Sequence, residues 1–186
     1  MFRVVLIVCI FFIKGIFFVT ANELKVPEGQ TISPMLRSTH FVNDIDESLK
    51  LYRDILGLEI RADLILEGDR ANQVLGTQNE KVRAVVLKSG DLYNGGLGLF
   101  QFLDKIFNKE IRVDAFAKPG DAVLVFITND IFEVYNKVKQ DKYLIASSPM
   151  VLFPKKDDEK QDYEMLFYDR DGIGVNLIQR SVNVID

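Results

Sequence analysis

His40 is the only histidine in a chain of 186 residues, so any serine–histidine–acid triad or histidine-rich metal site would have to be built around this one imidazole. No such triad can be assembled without forcing His40 into it. The second place where chemistry could reside is Asp169-Arg170-Asp171-Gly172, a closely spaced pair of carboxylates. Asp-x-Asp-Gly is also what a tight reversal needs, with Gly172 at positive φ, and a turn is the expected reading. Glu164 opens the strand candidate before that turn and could reach a cleft, although a surface role explains it as well. The glycine-rich stretch Gly90-Asp91-Leu92-Tyr93-Asn94-Gly95-Gly96 is irregular, and no helix follows it to cradle a phosphate. It reads as a hairpin turn. No catalytic residue is assigned.

Those residues are set within a regular succession of elements. Residues 35–42 suit a strand, and Asn43-Asp44 follows as a turn and helix cap. Leu49, Tyr52, Ile55 and Leu56 then recur at helical spacing, and Gly57 closes the helix. Strand candidates follow at 58–66, 82–88 and 97–103, with a short polar segment at 68–79 after the first of them. The order then begins again: a strand at 122–128, a cap at Asn129-Asp130, and a helix face through Ile131, Val134 or Tyr135, and Val138. Strands at 145–153, 163–168 and 174–180 complete it, with the charged stretch 155–162 as a solvated loop. Two pieces of sequence repeat outright. Asn43-Asp44-Ile45 is matched by Asn129-Asp130-Ile131, and Gly96-Leu97-Gly98-Leu99-Phe100-Gln101 by Gly174-Val175-Asn176-Leu177-Ile178-Gln179. The expectation is an α+β chain of two βαβββ modules, the first at 35–104, the second at 121–182, joined by a connector at 105–120.

Composition sets outer bounds. Hydrophobic residues make up 48% of the chain and charged ones 27%, which is ordinary for a globular domain of this length and enough for a core without disulfides. A net charge of −4 argues against sequence-independent nucleic-acid binding, which would need a basic face for the phosphates, so no nucleic-acid partner is expected, although a local basic pocket stays open. Residues 1–21 differ from the rest: Arg3 precedes an apolar run broken only by Lys14, and Val19-Thr20-Ala21 offers small residues for a signal peptidase. This is the layout of a cleaved secretory signal. The alternative is an uncleaved anchor, although a span takes about 17–25 apolar residues. Residues 22–34, with Pro27 and Gly29, read as a linker. The only cysteine, Cys9, lies inside the apolar run, so cleavage would leave a cysteine-free protein. The expected location is outside the cytoplasm, periplasmic or secreted, with the membrane engaged only through the N-terminal segment.

The stretch Val42-Asn43-Asp44-Ile45-Asp46-Glu47-Ser48-Leu49-Lys50-Leu51-Tyr52-Arg53-Asp54-Ile55-Leu56-Gly57-Leu58 resembles the first-module signature of the vicinal-oxygen-chelate superfamily, the glyoxalase/bleomycin-resistance/dioxygenase proteins. Phe167-Tyr168-Asp169-Arg170-Asp171-Gly172 resembles their Phe-x-Asp-Pro-Asp-Gly turn, with arginine in place of proline. With the repeat, the likeness covers residues 35–180. It implies two modules forming a curled mixed sheet around a cleft. It also implies a divalent metal held by one side chain on the first and last strand of each module, chelating vicinal oxygens of a substrate.

Carried onto this chain, those four positions are Arg37, Gly98, Val123 and Asn176. None is a good divalent-cation ligand, and Arg37 would repel the ion. No metal and no cofactor is therefore expected. His40 lies three residues from Arg37, and alternation along a strand turns it away from the cleft, toward the helices, unless a bulge reverses it. By the same parity Arg37, Thr39, Phe100, Asn176, Ile178 and Arg180 line the cleft. Two arginines, an asparagine and apolar walls would suit a small organic anion. Two readings of Arg37 stay open: it binds such an anion, or it pairs with an internal acid such as Glu164 and binds nothing.

The function expected is metal-independent binding or sequestration of a small organic anion, with a homodimer as one way of completing a cleft. The alternatives are a metal-dependent glyoxalase-like lyase, epimerase or dioxygenase, and a structural domain whose cleft is filled by its own side chains.

Overall fold

The computed structural model describes residues 26–90, 94–105, 118–156 and 159–181. The N-terminal signal or anchor segment, most of the connector and the end of the second module at 182 lie outside the described residues.

Eight strands form two four-stranded mixed sheets. The first runs β1 (Arg37–Phe41), β4 (Gly96–Phe102), β3 (Val82–Lys88), β2 (Glu59–Leu66) across the sheet, and the second β5 (Val123–Ile127), β8 (Gly174–Gln179), β7 (Tyr163–Tyr168), β6 (Leu144–Val151). In each, the first strand of the module pairs in parallel with the last, and every other pairing is antiparallel. The fold is α+β, two βαβββ modules in the expected order. The sheets do not join: β1 and β5 each end their own sheet.

The repeat exists because both modules start their helix in the same way. Asp44 caps α1 (Ile45–Leu49) by accepting the N–H groups of Asp46 and Glu47, and Asp130 caps α3 (Ile131–Gln140) by accepting that of Glu133. The repeated glutamine supplies the remaining acceptor. Gln101 Oε1 takes the N–H of Ile45 at 3.0 Å, and Gln179 Oε1 takes that of Ile131 at 2.7 Å. A glutamine near the end of each closing strand thus satisfies an N–H that the first turn of a helix leaves unpaired.

The helices cover one face of each sheet. Ile45, Leu49, Tyr52, Val85, Leu87, Leu97 and Leu99 from the first module form one core with Ile131, Val138, Met165, Phe167, Val175 and Leu177 from the second. Sequence periodicity places Leu49, Tyr52, Ile55 and Leu56 on the inner face of the first helix, but Leu51 is also fully buried. The reason is a change of helix type. After Leu49 the chain continues as a π-helical stretch (Lys50–Ile55), closed by Leu56 N–H on the Leu51 carbonyl at 2.9 Å, and the wider turn brings Leu51 and Tyr52 into the core together.

A second feature is α2 (Asp69–Leu75), a helix within the polar segment 68–79, to which sequence periodicity assigns no element. It is short and bracketed by Gly68 and Gly76, both at positive φ. Asn72 holds it: its amide donates to the Gly68 carbonyl, and its Oδ1 accepts the Thr77 hydroxyl and the Glu80 N–H. Leu75 and Leu66 pack on Val82, Ala84 and Phe100, on the sheet face away from the main core.

The two modules are locked together through the Asp169–Gly172 turn, in which Gly172 has φ 78°. Asp169 accepts the N–H groups of Asp171 and Ile173 and, through Oδ2, the hydroxyl of the fully buried Tyr52 at 2.8 Å. Asp171 Oδ1 accepts both the backbone N–H and the side-chain amide of Asn43, at 2.9 and 2.6 Å. Arg170, where the family has proline, donates to the Asp141 carbonyl at the end of α3 and lies over the Tyr143 ring. That is a favourable site for a cation. Tyr52→Phe keeps the packing and removes only the buried hydroxyl's bond to a carboxylate, so a loss of about 1.5–3 kcal/mol is expected. Urea unfolding of the variant against wild type measures it, and an unchanged midpoint would show that the bond contributes nothing.

Candidate functional site

Alternation along the two edge strands defines the face that the main helices leave open. On β1, Arg37, Thr39 and Phe41 are exposed, while Ser38 and His40 between them are half-buried. On β5, Val123, Val125 and Ile127 are exposed and Leu124 and Phe126 are not. His40 shares the face of its pairing partner Leu99, a core residue, as parity requires, and its Nε2 lies 2.7 Å from Ser38 Oγ.

The four positions where the fold family places metal ligands are distributed over both sheets. Arg37 lies opposite Gly96, Gly98 opposite Thr39, Val123 opposite Gly174 and Asn176 opposite Val125. Among them they offer one neutral amide oxygen. The remaining positions are a guanidinium, an isopropyl group and a glycine. That donor set does not fit a divalent ion. Among the described residues no group of three or more His, Cys, Asp or Glu side chains could hold one. The glycine at 98 has a local cause, since a Cβ there would stand 2.8 Å from Thr39 Oγ1.

The residues expected to line the cleft fall into two groups. Arg37 and Thr39 are exposed on the first sheet, and Arg37 makes no ion pair or hydrogen bond among the described residues. Phe100 is on the same face but is not an open wall. It is buried under α2 and beside Phe41, whose ring meets it edge-on at 5.7 Å. The correction follows from α2, which parity arguments could not supply. On the second sheet Asn176 and Arg180 already have partners. Asn176 donates to Glu164 Oε1 at 2.9 Å, so the acid considered as a mate for Arg37 bonds the asparagine instead. Arg180 Nη1 sits 3.4 Å from Asp162 Oδ2. Ile178 is half-buried between them in sequence.

Sequence reasoning did not single out Phe41. It is 47% exposed, stacked on Phe102 at 5.3 Å, and its only signal was sharing the parity of Arg37. Two cavities lie where the modules meet. One, of about 450 Å³, opens between the free edges of β1 and β5 and is lined by Met35, Ser38, Gly96, Leu97, Val123 and Val125 among others. The other, about 330 Å³, lies between the end of the π-helical stretch and the start of α3, near Thr128, Asn129 and Lys137.

The buried acids behave in opposite ways. Burial pushes the Asp169 carboxyl up, against the N–H groups and the Tyr52 hydroxyl that favour its ionised form. Burial, followed by the Asp169 charge, likewise raises the Tyr52 hydroxyl. Asp162 is held well below the usual carboxylate range by the Ser181 N–H and by Lys155.

The model of the Glyoxalase/Bleomycin resistance protein/Dioxygenase superfamily matches residues 36–177. The chain belongs to that superfamily. Among solved structures it is similar to a glyoxalase family protein from Bacillus cereus, at 16% identity and TM-score 0.65, over 83% of this chain and 98% of that one. Glyoxalase I from Zea mays matches at 17% identity and TM-score 0.54, over 79% of this chain but 44% of that one. The trypanothione-dependent glyoxalase I of Leishmania major matches at 16% and 0.52, over 78% and 85%. At these identities the likeness is one of fold. No curated protein matches the chain.

The two acids predict opposite pH trends. Asp162, with its folded pKa depressed, contributes stability that is present above the ordinary carboxylate range near 3.9 and is lost as pH falls below it. Asp169, with its folded pKa raised, weighs against folding when ionised, and that penalty lifts as pH falls through its folded value. In urea unfolding at pH 7, 4.5 and 3, the wild-type advantage over Asp162→Asn should shrink toward pH 3. The wild-type standing relative to Asp169→Asn should improve from pH 7 to 4.5. Parallel curves for both variants would refute the assignments.

Proposed function

We propose that this protein binds a small organic anion without a metal, and that it acts outside the cytoplasm. The observation that supports binding is Arg37. It is an exposed guanidinium on the open face of β1, at the family's first ligand position, and no acid among the described residues pairs with it. A carboxylate can take two parallel N–H bonds from such a group. Thr39 beside it offers a hydroxyl, and the neighbouring face is apolar. A cation fixed in the chain would then replace the charge that a divalent ion provides elsewhere in the superfamily. Asn176 and Arg180 would serve the ligand only by exchanging their present partners, so Arg37 and Thr39 are its primary contacts. The export reading rests on residues 1–21 alone. The bare edges of β1 and β5, flanked by exposed Val125 and Ile127, are where a second copy would pair in a homodimer.

A metal-dependent, glyoxalase-like enzyme is the competing reading, favoured by the solved structures the fold resembles. It would need donors that the four positions do not offer.

Elemental analysis of protein purified without chelator or metal-affinity resin separates the two. Far less than one transition-metal ion per folded chain is expected, and a near-stoichiometric ion would sink the metal-free reading. In the same preparation, small carboxylates should bind wild type at least about tenfold more tightly than Arg37→Ala, the scale of one lost charge-assisted pair. Equal affinity would remove Arg37 from the site. For export, the mass of the protein recovered from a secreting host should begin at Asn22, and an intact Met1 would favour the anchor.

A further inference from the structure

The strand register divides the open face of the first sheet into successive rows, and their chemistry changes from one end to the other. The first row, read across β1, β4, β3 and β2, is Arg37, Gly96, Lys88, Glu59. Lys88 aligns with this row because Leu87 pairs with Leu97. The second row is Thr39, Gly98, Val86, Ala62, and the third Phe41, Phe100, Ala84, Leu64. Phe102, Val82 and Leu66 form the row beyond, covered by Leu75 of α2. The face therefore has a cationic end, a low middle where no side chain is larger than valine, and an aromatic end closed off by a helix. The second sheet has no counterpart: its rows begin with Val123, Val125 and Ile127 and contain neither an unpaired cation nor a phenylalanine.

On the reading that Arg37 binds an organic anion, we infer that the ligand is an elongated monocarboxylate ending in an aromatic ring, with its carboxylate on Arg37 and its ring against Phe41. Charge complementarity sets the first end, because Arg37 is exposed and without a partner among the described residues. The aromatic cluster sets the other. Phe41 lies nearly parallel to Phe102, at 5.3 Å and 19°, and meets Phe100 edge-on at 78°, yet it is 47% exposed. A further ring extends that array with the offset-stacked or edge-on geometry aromatic pairs prefer, which a flexible alkyl chain cannot reproduce. The spacing sets the length. Arg37 and Phe41 are four residues apart on one strand, about 13 Å between Cα atoms. Because the Phe41 ring is held against Phe102, the flexible Arg37 side chain must reach along the face for a ligand with a carboxylate-to-ring distance of about 8–10 Å to span the two.

Calorimetric titration of the wild-type chain with phenylacetate, 4-phenylbutyrate and 6-phenylhexanoate tests this, with decanoate and 6-phenylhexanamide as controls. Affinity should rise at least about tenfold from phenylacetate to 6-phenylhexanoate, since each buried methylene adds to the hydrophobic gain. Decanoate and the uncharged amide should each bind at least about tenfold more weakly than 6-phenylhexanoate. Arg37→Gln should weaken all the phenyl carboxylates alike, whereas Phe41→Ala should weaken 6-phenylhexanoate and leave phenylacetate unchanged. Arg37 is exposed and Phe41 half-exposed, and a cooperative urea transition confirms that each variant folds. If carboxylates bind through Arg37 but without dependence on chain length, ring or Phe41, the anion-binding reading stands and this inference falls. If decanoate matches 6-phenylhexanoate, the aromatic end is wrong. If no carboxylate binds wild type, both readings fall together.

Discussion

Two carboxylates buried at the junction between the modules constrain the rest of the molecule. Asp169 and Asp171 lie in one turn of the second module, and neither could be taken out of water at tolerable cost without donors to replace its hydration. Asp169 accepts two backbone N–H groups from its own turn and the Tyr52 hydroxyl from the first module, while Asp171 takes two donors from Asn43. The requirement runs in both directions. The turn cannot be buried unless the first helix presents Tyr52 and Asn43, and Tyr52 cannot be fully buried without an acceptor for its hydroxyl. The two modules are thus held helix side to helix side, with Leu49, Leu99, Val138 and Leu177 in one core. Their other sheet faces point away from this core, that of the first sheet partly covered by α2.

The same junction explains a local departure from regular helix. An ordinary α-helix would place Tyr52 at the core and turn Leu51 outward. The π-helical stretch from Lys50 buries both, and so combines the polar link through Tyr52 with apolar packing through Leu51. Arg170 has a comparable part. A proline would only stiffen the turn, whereas the arginine reaches the Asp141 and Lys142 carbonyls just past α3 and covers Tyr143, tying the turn to the helix of its own module as Asp169 and Asp171 tie it to the other.

What could be read from the sequence follows from which signals are local. The two modules were legible because Asn-Asp-Ile and a glutamine near the end of the closing strand recur, and both belong to one device: aspartate caps the helix and glutamine takes the N–H the cap leaves over. The Asp169–Gly172 turn was legible as a turn, but its partners lie more than a hundred residues away, and no local pattern names them. The helix α2 was missed because seven residues pinned by Asn72 show almost no apolar period, with Leu75 alone reaching the sheet beside them. That omission misplaced Phe100, which parity put correctly on the open face but which α2 covers. Parity likewise put Asn176 and Arg180 on that face without revealing Glu164 and Asp162 as their partners, because cross-strand pairing depends on register. Arg37 and Thr39 stand exposed on the edge strand, where alternation alone places them on the outer face.

The contrast between the two sheets bears on how a duplicated fold divides its labour. Identical caps and closing glutamines show that both modules need the same backbone start, so the repeat is retained where it serves folding. Where side chains face outward, the modules differ: the first carries a cation, small residues and phenylalanines in sequence along β1 and β4, while the second binds its polar groups to one another. A metal site built from both modules would require matched donors on each, and Val123 and Gly98 supply none. A site centred on Arg37 requires only one sheet. On the proposed reading, replacing a shared metal by a guanidinium moves the positive charge from the centre of the pair to one edge, and it releases the second module from the ligand. The glutamate that could have neutralised Arg37 is then better placed where it is, bonded to Asn176, since any acid within reach of that guanidinium would compete with the anion for it.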